Sequence, residues 1–324
     1  MVKDKVLQEL EKNKGIAVSG EALAQSLGVS RTAVWKAVNA LRAEGFDIKK
    51  AQSVGYILSK DSDRIFSEGI RSYLKHKVSL QINDVVDSTN SRAVALAADN
   101  AQYPVAVIAE EQTAGRGRMG RRFYSPKDKG IYLSLIIKPA MGTEGSLLVT
   151  SAAAVATAKA IREICGLETG IKWVNDIYLD GKKICGILTE GIADFETGQI
   201  SRLIVGIGIN CSSSDFKSKG LEKKAGALNV KGLERNKLIA EIIDKLLDIV
   251  ESLEKGDSSF IADYKSLSVV LGKQVTVYPT PVTDMANKYD ATAVDIDNHG
   301  GLVVRLSDGS YTTLSTGEIT VRLK

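Results

Sequence analysis

At 324 residues the chain is long enough for two or three domains with full-sized cores, and 44% hydrophobic with 25% charged residues is an ordinary globular composition. No apolar run approaches the roughly 20 residues that a membrane helix needs, and the start, "MVKDKVLQELEKNKG", mixes acids with lysines and has no apolar signal core, so a cytoplasmic protein without a membrane partner is expected. Three widely spaced cysteines, Cys165, Cys185 and Cys211, and two isolated histidines, His76 and His299, argue against a disulfide framework, a zinc or His-based metal site and a Ser-His-Asp triad. The cysteines read as reduced core residues. The net charge of +4 is unevenly distributed: residues 1–60 hold ten Lys/Arg against six Asp/Glu, and the remainder holds 33 of each. A basic N-terminal module on a neutral body points to an acidic partner for that module.

In chain order, Val2, Val6 and Leu10 recur every fourth residue and predict a short amphipathic helix. In "SGEALAQSLGVSRTAVWKAVNALRAEG", Ser19 caps a helix with Ala22, Leu23 and Leu27 inward, Gly28 breaks it, and Ser30 caps a second helix that buries Val34, Val38 and Leu41 and stops at Gly45. Two capped helices around a "GVS" turn form a helix-turn-helix pattern, and "KKAQSVGYIL" supplies a wing. Arg31, Thr32, Trp35 and Lys36 lie outward at the start of the second helix, the residue types that meet phosphates and base edges in a major groove. The alternative is a three-helix protein-interaction module whose lysines form only a solvated face.

After the polar "SKDSDR", apolar β-like runs alternate with helical ones, which predicts a mixed α/β or α+β body. "VAVIAEEQ", "IYLSLIIK", "GIKWVNDIYL", "KICGILTEGI" and "SRLIVGIGINC" read as strands; "SRAVALAADN", "SLLVTSAAAVATAKAIREI" and "RNKLIAEIIDKLLDIVESLE" read as helices. From about residue 270 only short strands follow, "KQVTVY", "ATAVDID", "GLVVRL" and "TGEITVRL", which fits a small terminal β-barrel.

Four stretches in this body carry chemistry. "GRGRMGRR" at 115–122 sets four arginines among three glycines, cations for phosphate or carboxylate on a backbone that can approach a ligand. It formally matches GxGxxG, but another strand follows instead of a helix, so a dinucleotide fold is not expected, and there is no Walker loop. In "KWVNDIYLDGKKICGILTE", Asp180-Gly181 signals a two-residue hairpin with Tyr178 opposite Lys183. Simple alternation then puts Lys172, Val174, Asp176 and Tyr178 on one face with Lys183, Cys185 and Ile187, either a site for anions and a magnesium ion or a structural ion pair. "VVDSTNSRAVALA" passes from strand to helix with Ser88, Thr89 and Asn90 as a polar cup, which otherwise is only a helix cap. Finally, Gly206 and Gly208 in "VGIGINC" leave room for a flat ligand against a strand.

Together, "STN", "Q-T-x-G-R-G-R-x-G-R", "KW-x-ND" followed by "KxxGIL-x-E", "GIGIN" and "GEIxxR", in that order behind a winged helix-turn-helix, resemble the bifunctional biotin protein ligase and biotin operon repressor family over nearly the whole chain. The resemblance implies an α+β chain divided into a winged helix-turn-helix at 1–62, a mixed-sheet catalytic domain at 63–269 and an SH3-like β-barrel at 270–324. It implies that biotin's carboxylate attacks the α-phosphate of MgATP to give biotinyl-5′-adenylate, which then biotinylates a lysine of a carboxylase's biotin carrier domain. By position, Ser88, Thr89, Asn90, Gln112, Gly115, Arg116, Gly117, Arg118, Lys183 and Gly186 would hold biotin. Arg121, Lys172, Asn175, Asp176, Lys183, Asn210 and Arg322 would hold the nucleotide, with Asp176 also at the metal and Lys183, Arg118 and Asp176 catalytic. The adenylate-bound form would dimerise and bind operator DNA. Val174 stands where the family usually has proline, from which altered strand stiffness without loss of chemistry is expected. A lipoate ligase and a non-catalytic ligand-sensing repressor are the rival readings.

Overall fold

The computed structural model describes residues 2–51, 55–60, 63–97, 104–141, 143–194, 196–279, 288–315 and 319–323. By contacts the chain forms two units, residues 1–77 with 230–241, and residues 78–229 with 242–324.

The first unit contains α1 (Val2–Lys12), α2 (Gly20–Leu27), α3 (Arg31–Ala43), β1 (Ile48–Ala51), β2 (Gly55–Leu58) and α4 (Ser67–Arg71). Both caps form as the sequence predicts: Ser19 Oγ accepts from Ala22 N–H at 2.9 Å and Ser30 Oγ from Ala33 N–H at 3.1 Å. Gly28 ends α2 in the left-handed region at φ 64°, where a Cβ would be strained. One inward assignment on α2 is corrected: Ala22 is exposed, and Ala24 joins Leu23 in the core, one residue further round the helix. Val6, Leu10, Val34, Val38, Leu41 and Leu58 are fully buried together. The wing hairpin pairs Ile48 with Leu58, and a bridge between Val18 and Tyr56 ties it to the start of α2. Arg31, Thr32, Trp35 and Lys36 are all exposed on α3, Trp35 at 55%, a large apolar surface for a side chain with no structural need to be outside. The sequence does not predict α4, since five residues show no periodicity.

In the second unit, β3 (Ser79–Val86), α5 (Thr89–Ala97) and β4 (Val105–Gln112) make a parallel crossover. Then come β5 (Gly130–Ile137), α6 (Thr143–Cys165), β6 (Gly170–Lys172), β7 (Asp176–Leu179), β8 (Lys182–Ala193), β9 (Ile200–Asn210), the part of α7 (Arg235–Glu254) from residue 242 onward, its start being counted with the first unit, and α8 (Phe260–Ser266). The strands form one mixed sheet in the order β3-β4-β5-β9-β8-β7-β6, antiparallel apart from β3 with β4. β5 is buried at every position, as a largely apolar run interrupted by Ser134 requires of a central strand. α5 packs on β4, β5 and β9, and α6 on β6 to β9, where the buried alanines from Ala152 to Ala156 let the helix approach closely. Cys185 and Cys211 are buried, whereas Cys165 is only half-buried. Among the described residues no helix is long and apolar enough to cross a membrane.

Residues 170–179, expected as one strand, are two. Trp173, Val174 and Asn175 form a turn, so Lys172 lies directly opposite Asp176 on the neighbouring strand. Trp173 Nε1 donates to Gly300 O at 2.9 Å, Tyr264 Oη donates to Val174 O at 2.9 Å, and the Trp173–Val174 peptide is cis. Val174 therefore belongs to a buried turn, and the expectation of altered strand stiffness does not apply.

The Asp180-Gly181 hairpin forms with both residues at positive φ, 49° and 74°, and Tyr178 pairs with Lys183. Past that pair a bulge shifts the register, so that Asp176 meets Gly186 while Cys185 pairs with buried Ile177. The single shared face predicted by simple alternation is thereby broken, and Cys185 leaves it. The C-terminal strands β10 (Gln274–Pro279), β11 (Tyr289–Ile296), β12 (Leu302–Arg305), β13 (Tyr311–Leu314) and β14 (Ile319–Leu323) form an antiparallel sheet in the order β13-β12-β11-β10-β14. The sequence signals neither α8 nor β13, the latter because "YTTL" is short and largely exposed.

Candidate active site

The sheet, the start of α5 and the loop after β4 enclose a cavity of about 210 Å³. At one end is the polar cup. Helix α5 opens at Thr89, so the N–H groups of its first turn have no carbonyl partner within the helix and turn to side chains, and Ser88, Thr89 and Asn90 are all buried there. Gln112, at the end of β4, reaches across: its Oε1 accepts from the Thr89 N–H at 2.8 Å, and its Nε2 donates to Ser125 Oγ at 2.8 Å. Ser134 on β5, fully buried, lies 2.8 Å from the Thr89 hydroxyl and donates to Asn90 Oδ1 at 2.6 Å. The result is a pre-organised row of polar groups at the foot of an otherwise apolar sheet.

The arginine loop closes back on itself instead of opening a helix. Gly117 N–H donates to Arg121 O at 2.7 Å, Phe123 N–H to Gly115 O at 2.9 Å, and the tip turns at Met119 with φ 57°. Gly115 has to be glycine because a Cβ would lie 2.5 Å from Phe123 O. Arg118 is half-buried, and its Nη1 donates to Asn175 Oδ1 at 3.2 Å, while Asn175 Nδ2 donates to Ile187 O at 2.7 Å. Burial lowers the Arg118 pKa from its ordinary value and the Asp176 carboxylate opposes that fall. An arginine guanidinium is not deprotonated in proteins, so the charge stays. On the far wall Lys183 Nζ lies 2.6 Å from Asp176 Oδ1, both partly exposed to the cavity, and Lys172 sits 5.6 Å from the Tyr178 ring centroid.

Of the residues singled out from the sequence, Ser88, Thr89, Asn90, Gln112, Arg116, Gly117, Arg118, Arg121, Lys172, Asn175, Asp176, Lys183 and Gly186 line this one cavity. Gly115 supports the loop without lining it. Asn210 stands at the end of β9 outside the lining and donates to Gly226 O at 2.9 Å. Arg322 occupies β14 opposite Thr276, and its side chain lies outside the described residues. Gly206 and Gly208 line the cavity, but the space they leave is taken by the protein itself: a Cβ at 206 would strike the Asn90 amide, and one at 208 would lie 2.7 Å from the Phe123 ring. The sequence points to no role for Phe123, Ser134 or Glu190. Of the three, only Glu190 falls within a motif, as the last residue of "GIL-x-E".

The arrangement has a neutral hydrogen-bonding end and a cationic end with one carboxylate among its lining residues, so it suits a substrate with a polar ring and an acid that meets a second anion. Residues 82–210 match the Biotin/lipoate A/B protein ligase family and residues 2–57 an HTH domain. The central body of the chain is thus similar to that ligase family, with a match to an HTH domain in front of it. Among curated relatives, the "Bifunctional ligase/repressor BirA" of Bacillus subtilis is 42% identical over 204 residues, 61% of this chain and 62% of that protein. The chain therefore matches a little under two thirds of that relative's length. The Escherichia coli protein of the same name is 28% identical over 94% of this chain and 92% of its own. In structure, the biotin protein ligase from Aquifex aeolicus in complex with biotin and ATP superposes with a TM-score of 0.63 at 25% identity, over 76% of this chain and 99% of that one.

Proposed function

We propose that the chain is an ATP-dependent biotin protein ligase that forms biotinyl-5′-adenylate, transfers biotin to a lysine of a carboxylase's biotin carrier domain, and represses biotin genes when the adenylate is bound. The observation that carries this reading is the convergence of the cup, the arginine loop and the Lys183–Asp176 pair on one cavity. The cup's hydroxyl and amide groups match a ureido ring. Biotin's carboxylate oxygen attacks the α-phosphate and pyrophosphate leaves; the carrier lysine then attacks the activated carbonyl and AMP leaves. Bringing a carboxylate to a phosphate costs several kcal/mol of repulsion unless cations neutralise it, and Arg116, Arg118 and Lys183 supply that charge.

Among the described residues no cluster of three His, Cys, Asp or Glu side chains is placed to hold a metal. A lone Asp176 fits magnesium, which takes its remaining ligands from phosphate oxygens and water and would neutralise phosphate charge. Arg121, Lys172, Asn175, Asn210 and Arg322 are assigned to the nucleotide on the resemblance. On the same ground the division at residues 62 and 269, closure of the C-terminal sheet into an SH3-like barrel, adenylate-dependent homodimerisation and a cytoplasmic location belong to this reading.

The deciding experiment is the intact mass of a biotin carrier domain after incubation with the protein, MgATP, and biotin and lipoate in competition. A shift by one biotin is expected. A lipoyl shift would make it a lipoate ligase, and biotin binding with no shift would make it a ligand-sensing repressor.

Two further outcomes are expected. Gly206→Ala forces Asn90 out of its bonds to Ser134 and Glu190, so the biotin dissociation constant, read by calorimetry, should rise about tenfold or more, the order expected when a buried hydrogen-bonded group is left unsatisfied. For the exposed face of α3, Arg31→Ala and Lys36→Ala should each weaken binding to a duplex from the protein's operator region and each reduce the slope of log K against log salt by about 0.9. Unchanged slopes would point to protein interaction instead.

A further inference from the structure

We propose that Glu190 is a positioning residue that couples the biotin cup to the arginine loop, an inference that rests on the ligase reading above. Glu190 lies near the far end of β8, outside the lining of the cavity, with its carboxylate between two groups that come from elements 74 and 100 residues away. Its Oε2 accepts from Asn90 Nδ2 at 2.6 Å. Arg116 Nη2 donates to both its oxygens, at 3.1 and 3.2 Å.

Asn90's other amide hydrogen goes to Leu188 O at 3.3 Å, and its Oδ1 accepts from Ser134 at 2.6 Å. Its amide is therefore committed to the protein on both sides, and it acts as a strut between β8 and the Ser134–Thr89–Gln112 row more than as a ligand contact. Which way that amide points is decided by what faces it. A carboxylate, which accepts only, holds the NH₂ toward β8 and so holds Oδ1 toward Ser134. On its other side the same carboxylate is the partner of a cation in a loop where four arginines repel one another.

The two bonds differ in strength. Arg116 and Glu190 are 45% and 32% exposed, so their pairing is worth only a few-fold in loop closure. The bond from buried Asn90 is charge-assisted and short, and losing it disturbs the cup itself. Glutamine separates the two effects, because its amide oxygen still accepts from Asn90 while the neutral group keeps at most one of Arg116's two contacts and none of the ion-pair attraction.

The test uses the full chain with biotin and MgATP, measuring the KM for biotin and the rate at which biotinyl-adenylate appears free in solution, with thermal midpoints for each variant. E190Q is expected to raise escape about fivefold, the upper range for a partly exposed ion pair, with KM rising less than threefold. E190A should show the same escape and a KM at least tenfold higher. With escape expressed per adenylate formed, since Arg116 also lends charge to the reaction, R116A should reproduce the E190Q escape, and the E190Q/R116A double variant should go no higher. The coupling is overturned if E190Q and E190A raise KM equally, if R116A leaves escape at the wild-type rate, or if the double variant multiplies the single effects. Should E190A fail to fold, E190Q and R116A still decide. A wild-type protein that forms no adenylate removes the ligase reading itself, a result distinct from any of these.

Discussion

Lys183→Ala is expected to lower kcat/KM for adenylation by about 10²–10³, measured as pyrophosphate release in a single turnover with saturating MgATP. The lysine is placed for this by the bulge that turns it, with Gly186, toward Asp176. Glycine at 186 is part of the arrangement, since a Cβ there would lie 3.1 Å from Lys183 Nζ. Removing the ammonium has two consequences in the same direction. The developing negative charge between carboxylate and α-phosphate loses a cation, and the Asp176 carboxylate loses the ion-pair partner 2.6 Å away beside two incoming anions. Lys183→Arg keeps the charge but exchanges a compact point donor for a planar fork, so it should fall between wild type and alanine. A loss of less than threefold in the alanine variant would place the chemistry elsewhere.

Arg118→Gly is expected to damage adenylation more mildly and to release about tenfold more free biotinyl-adenylate than wild type, quantified in the filtrate after a single turnover without acceptor. The backbone bonds within 115–123 stitch the loop to itself. Arg118 ties its tip to something else, through Asn175 to the carbonyl of Ile187 on β8. Glycine removes that tie and adds backbone freedom at the same position, so the loop should open while the intermediate is still bound. Adenylate no higher than wild type would show that the stitched backbone alone retains it.

Much of the molecule is legible residue by residue. Ser19, Ser30 and Gly28 act on neighbours within three or four positions, and Asp180-Gly181 closes a hairpin whose two strands flank it, so each signal carries its own geometry. The same holds for the cup, where a strand-to-helix junction with Ser88, Thr89 and Asn90 leaves helix-start N–H groups in need of partners from outside the helix. The elements that escape such a reading have no local signal: α4 and β13 are too short for periodicity to accumulate.

By itself, then, the order of residues determined the winged helix-turn-helix, most of the strands and helices and thirteen residues that meet in one cavity. Only the tertiary structure decided how that cavity is furnished. The turn at 173–175 forms where no glycine or proline asks for one, with Tyr264 and Gly300 as partners 90 and 127 residues away. The bulge beyond Tyr178 overrides the alternation that would have kept Cys185 beside Asp176. Asn90 and Phe123 fill the space above Gly206 and Gly208 that the sequence suggested for a ligand. In each case the outcome depends on satisfying buried polar groups and filling space between segments far apart in the chain, and no pattern within a single segment encodes those demands.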